Sequence, residues 1–381
     1  MLINSIFGPK FKEYKIGNIV KLAKDSELSL DCGKKISNFN LAYQTYGKLN
    51  ADKSNAILIC HAFTGDQYVA STNPVTGKKG WWDDVVGKGK AIDTDKYFII
   101  CSNVIGGCMG SFGPKDVNPA TDKIYASDFP IITIFDMVKA QKLLVEYLGI
   151  EKLFSVIGGS MGGFQALEWT ASYPDMVRSV VAIATSFRHN VENIAFNEIG
   201  RKAIMADLAW KSGNYLTEKT FPQKGLAVAR MAAHITYMSK ESLQRKFGRN
   251  LQEKKELSYQ FDIDFQIESY LDHQGNSFIL RYDPNSYLFI SKAMDYFDLE
   301  ADNNKDLTEI FANSNIKFCL ISFSDDWLFP PSELQILSQK LNIAGLEVSY
   351  VNIESSHGHD SFLVKNESME GVIKGFLTNS N

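Results

Sequence analysis

Residues 156–163 read Val156-Ile157-Gly158-Gly159-Ser160-Met161-Gly162-Gly163. An apolar run of strand length, Leu153-Phe154 with Val156-Ile157, leads into G-x-S-x-G. A segment of good helix formers follows with Met161, Phe164, Ala166, Leu167 and Trp169, and it stops near Tyr173-Pro174. Strand, tight turn and helix in this order form a nucleophile elbow. The turn puts the serine in a strained backbone conformation and leaves almost no room for neighbouring side chains; Gly158, Gly162 and Gly163 supply that room. G-x-S-x-G arises by chance in any glycine-bearing chain, so the weight rests on the flanking strand and helix. Ser160 is the candidate nucleophile.

Other short apolar runs surround the elbow. Ala56–Cys60, Tyr97–Cys101, Phe154–Ile157, Val180–Ala184, Ile316–Ile321 and Val348–Val351 have the uninterrupted character of strands buried on both faces. An amphipathic helix is expected over Ile134–Leu148. The alternation of strand and helix indicates a mostly parallel sheet flanked by helices, and with the elbow it points to an α/β-hydrolase fold. Patterns such as Ile36–Tyr46 add antiparallel strands at one edge.

The rhythm breaks between Phe187 and Asn315, where Ala, Met, Arg and Lys mark helices and β-rich runs are few. So long a stretch must have structure of its own. The expectation is a catalytic domain built from residues 1–186 and 316–381, with residues 187–315 a mainly helical lid over the Ser160 end. Asp298–Asp306 is expected to be a flexible join back to the sheet.

Composition narrows the function classes. The net charge of −4 is small and the basic residues are scattered, which argues against nucleic acid as a partner. No apolar run is long enough to span a bilayer, and Met1–Ser5 lacks the basic start and long apolar stretch of a signal peptide. Five cysteines, three of them (Cys60, Cys101, Cys319) in strand-like runs, suit reduced core residues and a cytoplasmic location. No spacing suggests a metal site.

A serine hydroxyl needs a base, and in this fold the acid and the histidine follow the serine in chain order. The strand ending near Ser322 runs into Phe323-Ser324-Asp325-Asp326-Trp327, and the last strand runs into Ser355-Ser356-His357-Gly358-His359-Asp360. Each place offers two candidates. Asp326 and His359 are preferred, with Asp325 and His357 as alternatives, because His359 abuts a helix expected to start at Asp360–Phe362. Two amides must hold the oxyanion: Met161 after the nucleophile, and Phe63 in the loop Cys60-His61-Ala62-Phe63-Thr64-Gly65 after an early strand. His61 is read as a brace for that loop. His189 and His273 are read as surface or satisfied loop residues.

Longer motifs carry a resemblance. His61-Ala62-Phe63-Thr64-Gly65, Asn73-Pro74-Val75-Thr76-Gly77 with Gly80-Trp81-Trp82, and Ser102-Asn103-Val104-Ile105-Gly106-Gly107-Cys108-Met109-Gly110-Ser111 resemble the homoserine O-acyltransferases of methionine biosynthesis. So do the elbow with Gln165–Trp169, Gly225-Leu226 with Ala229-Arg230, Thr236-Tyr237, and Gly358-His359-Asp360 with Phe362-Leu363. The likeness runs over almost the whole chain. It implies acyl transfer from an acyl-coenzyme A to L-homoserine by a ping-pong route, with acetyl-coenzyme A the expected donor and no bound cofactor, in a cytoplasmic homodimer. It also implies Ser160, Asp326 and His359 as the triad, Arg230 against the substrate carboxylate, Tyr237 close by, and Asp360 near the substrate amine. Phe63 stands where the family usually has leucine and Tyr68 where histidine is common; both are expected to shape the acyl pocket. Alternatives on the same scaffold are a succinyl donor, for which Lys78, Lys79 and Arg188 are conceivable partners, a serine acceptor, a plain esterase, or a non-catalytic binding protein.

Overall fold

Ala56–Cys60 is five apolar residues in a row, and all five are buried. Ala56, Leu58 and Cys60 point into a core on one face of a sheet, and Ile57 and Ile59 into a second core on the other. Val180 and Ala182 alternate with Val181 and Ile183 in the same way. A strand that is apolar at every position needs cover on both sides, and helices supply it. The computed structural model describes residues 16–312 and 314–380. The reading of Met1–Ser5 lies outside the described residues.

The central sheet has eight strands: β1 Asn18–Leu22, β2 Phe39–Tyr46, β3 Ala56–Cys60, β4 Phe98–Ser102, β5 Ser155–Gly159, β6 Ser179–Ile183, β7 Lys317–Phe323 and β8 Val348–Ile353. Their spatial order is β1-β2-β4-β3-β5-β6-β7-β8. From β4 to β8 neighbouring strands are parallel; β1 and β2 form the antiparallel edge. Helices α1 Ile134–Tyr147 and α2 Met161–Ser172 pack on one face. Thr133 starts α1 with a reciprocal capping box to Asp136, which satisfies two of the amides left free at a helix start.

Between β6 and β7 the chain forms helices α3 Val191–Ala206, α4 Gln223–Tyr237, α5 Lys240–Lys246, α6 Gln266–Phe278, α7 Pro284–Asp295, α8 Leu299–Asn303 and α9 Leu307–Phe311. α4 packs between α3 and α6. The flexible join expected at Asp298–Asp306 is instead α8 and the start of α9. Asp298 caps α8 by accepting from the Glu300 and Ala301 amides, Asp306 caps α9, and Leu299 and Leu307 are fully buried anchors. Aspartates that look like linker residues in sequence are here N-caps.

α3 and α7 are tied by a buried ion pair, Arg201 Nη1 to Asp295 Oδ2 at 2.6 Å, with Asn197 Nδ2 donating to Asp295 Oδ1 at 2.8 Å. Burial alone would raise the Asp295 carboxyl, but His189, Asn197 and Arg201 pull it below the usual carboxylate range. A group whose folded pKa is depressed contributes stability above its unfolded pKa and loses it as pH falls through the folded value. Arg201→Met leaves that buried carboxylate without its cation and is expected to cost about 3 kcal/mol at neutral pH. Its deficit against the parent should shrink on acidification, which urea unfolding at two pH values would check.

The last two elements after β7 and β8 are α10 Pro331–Ile343 and α11 Glu367–Asn379. The helix expected to begin at Asp360–Phe362 begins at Glu367, where Asn366 caps it. Gly358–Phe362 is a separate 3₁₀ turn.

Candidate active site

The Ser160, Asp326 and His359 side chains meet at the C-terminal ends of β5, β7 and β8. Ser160 has φ +58° and ψ −127°, the strained elbow conformation. Two bonds pin it: its amide donates to Ile183 O at 3.0 Å, and Thr185 Oγ1 donates to its carbonyl at 2.9 Å. Gly162 is required by close approach, since a Cβ there would sit 2.1 Å from Cys60 O.

Ser160 Oγ lies 2.9 Å from His359 Nε2, and His359 Nδ1 lies 2.8 Å from Asp326 Oδ2. The other Asp326 oxygen, Oδ1, accepts from the Leu328 and Phe329 amides at 3.0 and 2.9 Å. All three residues are buried. With Nδ1 protonated and donating to the carboxylate, Nε2 is left as the acceptor for the serine proton. His359 is held by its 3₁₀ turn: Ser361 Oγ donates to Gly358 O at 2.6 Å, and Trp82 Nε1 donates to Phe362 O at 2.7 Å. Gly358 has φ +68°, and a Cβ there would lie 2.5 Å from Ser239 N, so only glycine fits under the α4–α5 junction. The alternatives are placed elsewhere. His357 is exposed, and Asp325 lines a separate groove of about 490 Å³.

The loop after β3 runs beside the elbow. Neither the Phe63 nor the Met161 amide donates to an acceptor among the described residues. Burial holds His61 below the usual histidine range. Its Nδ1 pairs with Ala62 O at 2.8 Å and its Nε2 accepts from the Val104 amide at 3.1 Å, so it joins two loops and has no free nitrogen to act as base.

A narrow cavity of about 40 Å³ opens over Ser160, walled among others by Phe63, Asn193, Tyr237, Tyr287, Leu328 and Phe329. Among the described residues the wall carries no lysine or arginine. Lys78, Lys79 and Arg188 are exposed and lie outside it. Phe63 belongs to the wall; Tyr68 does not, being buried in the main core instead. His189, read as a surface or satisfied loop residue, is buried and lines this cavity, because Phe164 and Phe329 pack on its ring; His273 is exposed.

Tyr237 lines the cavity, with its ring 6.0 Å from that of His359. Arg230 and Asp360 stand next to Tyr237 without lining the cavity. The Arg230 guanidinium lies 5.4 Å from the Tyr237 ring and 4.8 Å from the Phe278 ring, and its Nη1 reaches Thr64 Oγ1 at 3.5 Å. No carboxylate among the described residues comes within ion-pairing distance of it. Burial raises the Asp360 carboxyl above the usual range, opposed by the nearby charges of His359 and Arg230.

Three contributors escaped the sequence reading. Tyr282 and Arg281 donate to the carbonyls of Phe63 and Thr64, and Trp82 holds the histidine turn. Each acts on a residue more than two hundred positions away, so no local spacing signals it.

The α/β-hydrolase fold family model matches residues 55–366. The chain is 56% identical over 359 residues to the homoserine O-acetyltransferase of Mesorhizobium japonicum, covering 94% of this chain and 92% of that one. It is 56% identical over 348 residues to that of Pelagibacter ubique, covering 91% and 94%. Among solved structures, the Bacillus anthracis homoserine O-acetyltransferase superposes with TM-score 0.86 at 28% identity over 94% of this chain and 96% of that one. Esterase E22 also superposes with TM-score 0.86, at 29% identity over 94% and 99%. Elbow, sheet order and full-length similarity agree: the chain belongs to the homoserine O-acetyltransferase family, on the α/β-hydrolase fold.

Proposed function

We propose that this protein moves an acetyl group from acetyl-coenzyme A to the side-chain hydroxyl of L-homoserine, through an acyl-serine at Ser160, in L-methionine biosynthesis. The observation that carries the choice of acceptor is Arg230. A guanidinium that no carboxylate among the described residues pairs with, beside a serine–histidine–aspartate relay, suits the carboxylate of an amino acid, gripped by two parallel hydrogen bonds. Asp360 then pairs with the ammonium, and Tyr237 forms the wall between them and His359.

His359 Nε2 takes the Ser160 proton as Oγ attacks the thioester carbonyl carbon. The oxyanion sits between the amides of Phe63 and Met161. The carbon–sulfur bond breaks, His359 returns the proton to the departing thiolate, and acetyl-Ser160 remains. Homoserine enters; His359 takes its hydroxyl proton as that oxygen attacks the ester. The bond to Ser160 Oγ breaks, the serine regains its proton, and O-acetyl-homoserine leaves. Asp326 keeps the imidazole in the required tautomer and balances its charge throughout. The helices between residues 187 and 315 serve as a lid that limits water, which competes for the acyl-enzyme. A narrow cavity wall without lysine or arginine among the described residues favours acetyl over succinyl. The enzyme works as a homodimer in the cytoplasm and needs no bound cofactor.

The test measures thiol release from acetyl-coenzyme A and from succinyl-coenzyme A, each with and without L-homoserine. Homoserine-dependent release with the acetyl donor supports the proposal; release that ignores homoserine replaces it with the esterase reading that the E22 likeness favours. Arg230→Met should lower kcat/KM for homoserine by about 100-fold, the worth of a charge-assisted pair, while p-nitrophenyl acetate hydrolysis stays near the parent rate. Equal loss on both substrates would remove Arg230 from acceptor recognition.

A further inference from the structure

The loop after β3 makes a β-turn, Ala62 to Gly65, closed by the Gly65 amide donating to Ala62 O at 2.9 Å. Phe63 and Thr64 are its central residues. The peptide joining them is the one that flips when a turn changes type, because only ψ of the first and φ of the second need rotate. That flip would invert Phe63 O and the Thr64 N–H; the Phe63 N–H, the oxyanion donor in the mechanism above, lies in the preceding peptide and is aimed by the same turn.

Both carbonyls beyond Ala62 are held from outside the loop. Tyr282 Oη donates to Phe63 O at 2.9 Å, fixing the central peptide itself. Arg281 Nη1 donates to Thr64 O at 2.9 Å. The donors come from the short link between α6 and α7, far along the chain. Their own placement is tight. Asp283 caps α7 by accepting from the Ser286 amide at 2.8 Å and also accepts from the Tyr215 hydroxyl. The Tyr282 ring stacks on Phe278 with centroids 5.0 Å apart and meets Phe63 edge-on at 6.3 Å. The Arg281 guanidinium rests 5.0 Å from the Phe278 ring, and no carboxylate among the described residues pairs with it. Tyr287, one turn into α7, also packs on Phe63, with ring centroids 4.8 Å apart.

We propose that Tyr282 and Arg281 are positioning residues that lock this turn in the orientation acyl transfer needs. The helical segment between β6 and β7 then completes the oxyanion site as well as covering it. This inference rests on the Phe63 amide acting as an oxyanion donor. It does not depend on which acyl donor or acceptor is used.

The test uses Tyr282→Phe, which removes one hydroxyl and keeps the ring packing, alone and with Arg281→Met. Turnover of p-nitrophenyl acetate reports acylation of Ser160 without coenzyme A or homoserine. Tyr282→Phe should lower kcat about 10-fold, less than loss of a whole oxyanion donor, with KM nearly unchanged, and the double variant should lose more. Affinity for a small alkylboronic acid, which forms a tetrahedral adduct on Ser160, should fall by the same factor as kcat/KM. A folded double variant that retains parental kcat and boronate affinity overturns the proposal. So does a loss confined to KM or to thermal stability. If the parent enzyme fails to acetylate homoserine and Tyr282→Phe still slows ester turnover, the reading of function falls and this one stands.

Discussion

Ser160→Ala should lower thiol release from acetyl-coenzyme A by about 10⁴-fold or more, because the covalent route ends with the hydroxyl. The fold should survive. Alanine carries the same Cβ as serine into the φ +58° position, so the elbow's strain is unchanged. His359 keeps its bond to Asp326, and the backbone bonds that pin residue 160 do not involve the hydroxyl. The thermal midpoint should therefore stay near that of the parent, and labelling by a fluorophosphonate should disappear. A variant that kept near-parental release would end the acyl-serine mechanism, whatever the status of the fold.

Asp326→Asn should be almost as damaging, with kcat down about 10⁴-fold, through the histidine tautomer rather than through packing. The two oxygens of Asp326 have different duties: Oδ1 accepts from two backbone amides and Oδ2 faces His359 Nδ1. An asparagine amide can satisfy the two backbone donors only with its oxygen, which turns its NH₂ toward the imidazole. Nδ1 must then accept, the proton moves to Nε2, and Nε2 can no longer take the proton of Ser160. Asp325→Asn is the control. That residue lines the outer groove and touches none of this, so it should leave kcat close to the parent value. Equal losses in the two variants would show that the carboxylates share the task.

How much of this was legible in sequence varies by element. The six runs expected as buried strands were readable because they are mainly apolar, and their observed ends differ from the expected ones by two residues or fewer. Ala56–Cys60 matches fully, and Lys317–Phe323 runs two residues past Ile321. The elbow was readable because its geometry leaves no room for a Cβ at positions 158 and 162 on either side of the serine. Less was readable in the helical segment. Asp298–Asp306 has the composition of a linker, yet two of its aspartates cap helices, and burial of Leu299 and Leu307 decides the matter. A cap is a hydrogen bond to amides that exist only once the helix has formed.

The choice between paired candidates shows the same division. Asp325 and Asp326 are chemically identical neighbours, as are His357 and His359 across one glycine. Spacing places both members of each pair near the right strand end and gives only a slight preference, which the direction of each side chain turns into a clear separation. Asp326 and His359 turn inward and meet; Asp325 faces a groove and His357 faces solvent.

The sequence by itself determined the strand–elbow–helix unit, the chain order of serine, acid and histidine, and the parallel sheet that carries them. These follow from local sterics and from apolar period, which act over a few residues. The tertiary structure shows the preferred Asp326 and His359 meeting at the serine; it alone shows that Arg230 stands without a carboxylate among the described residues and that Tyr282 and Arg281 grip the loop after β3. Those are long-range facts, made when segments some two hundred residues apart pack together. Hydrogen-bond partners at that separation leave no periodicity in the chain, because neither partner constrains the residues next to the other.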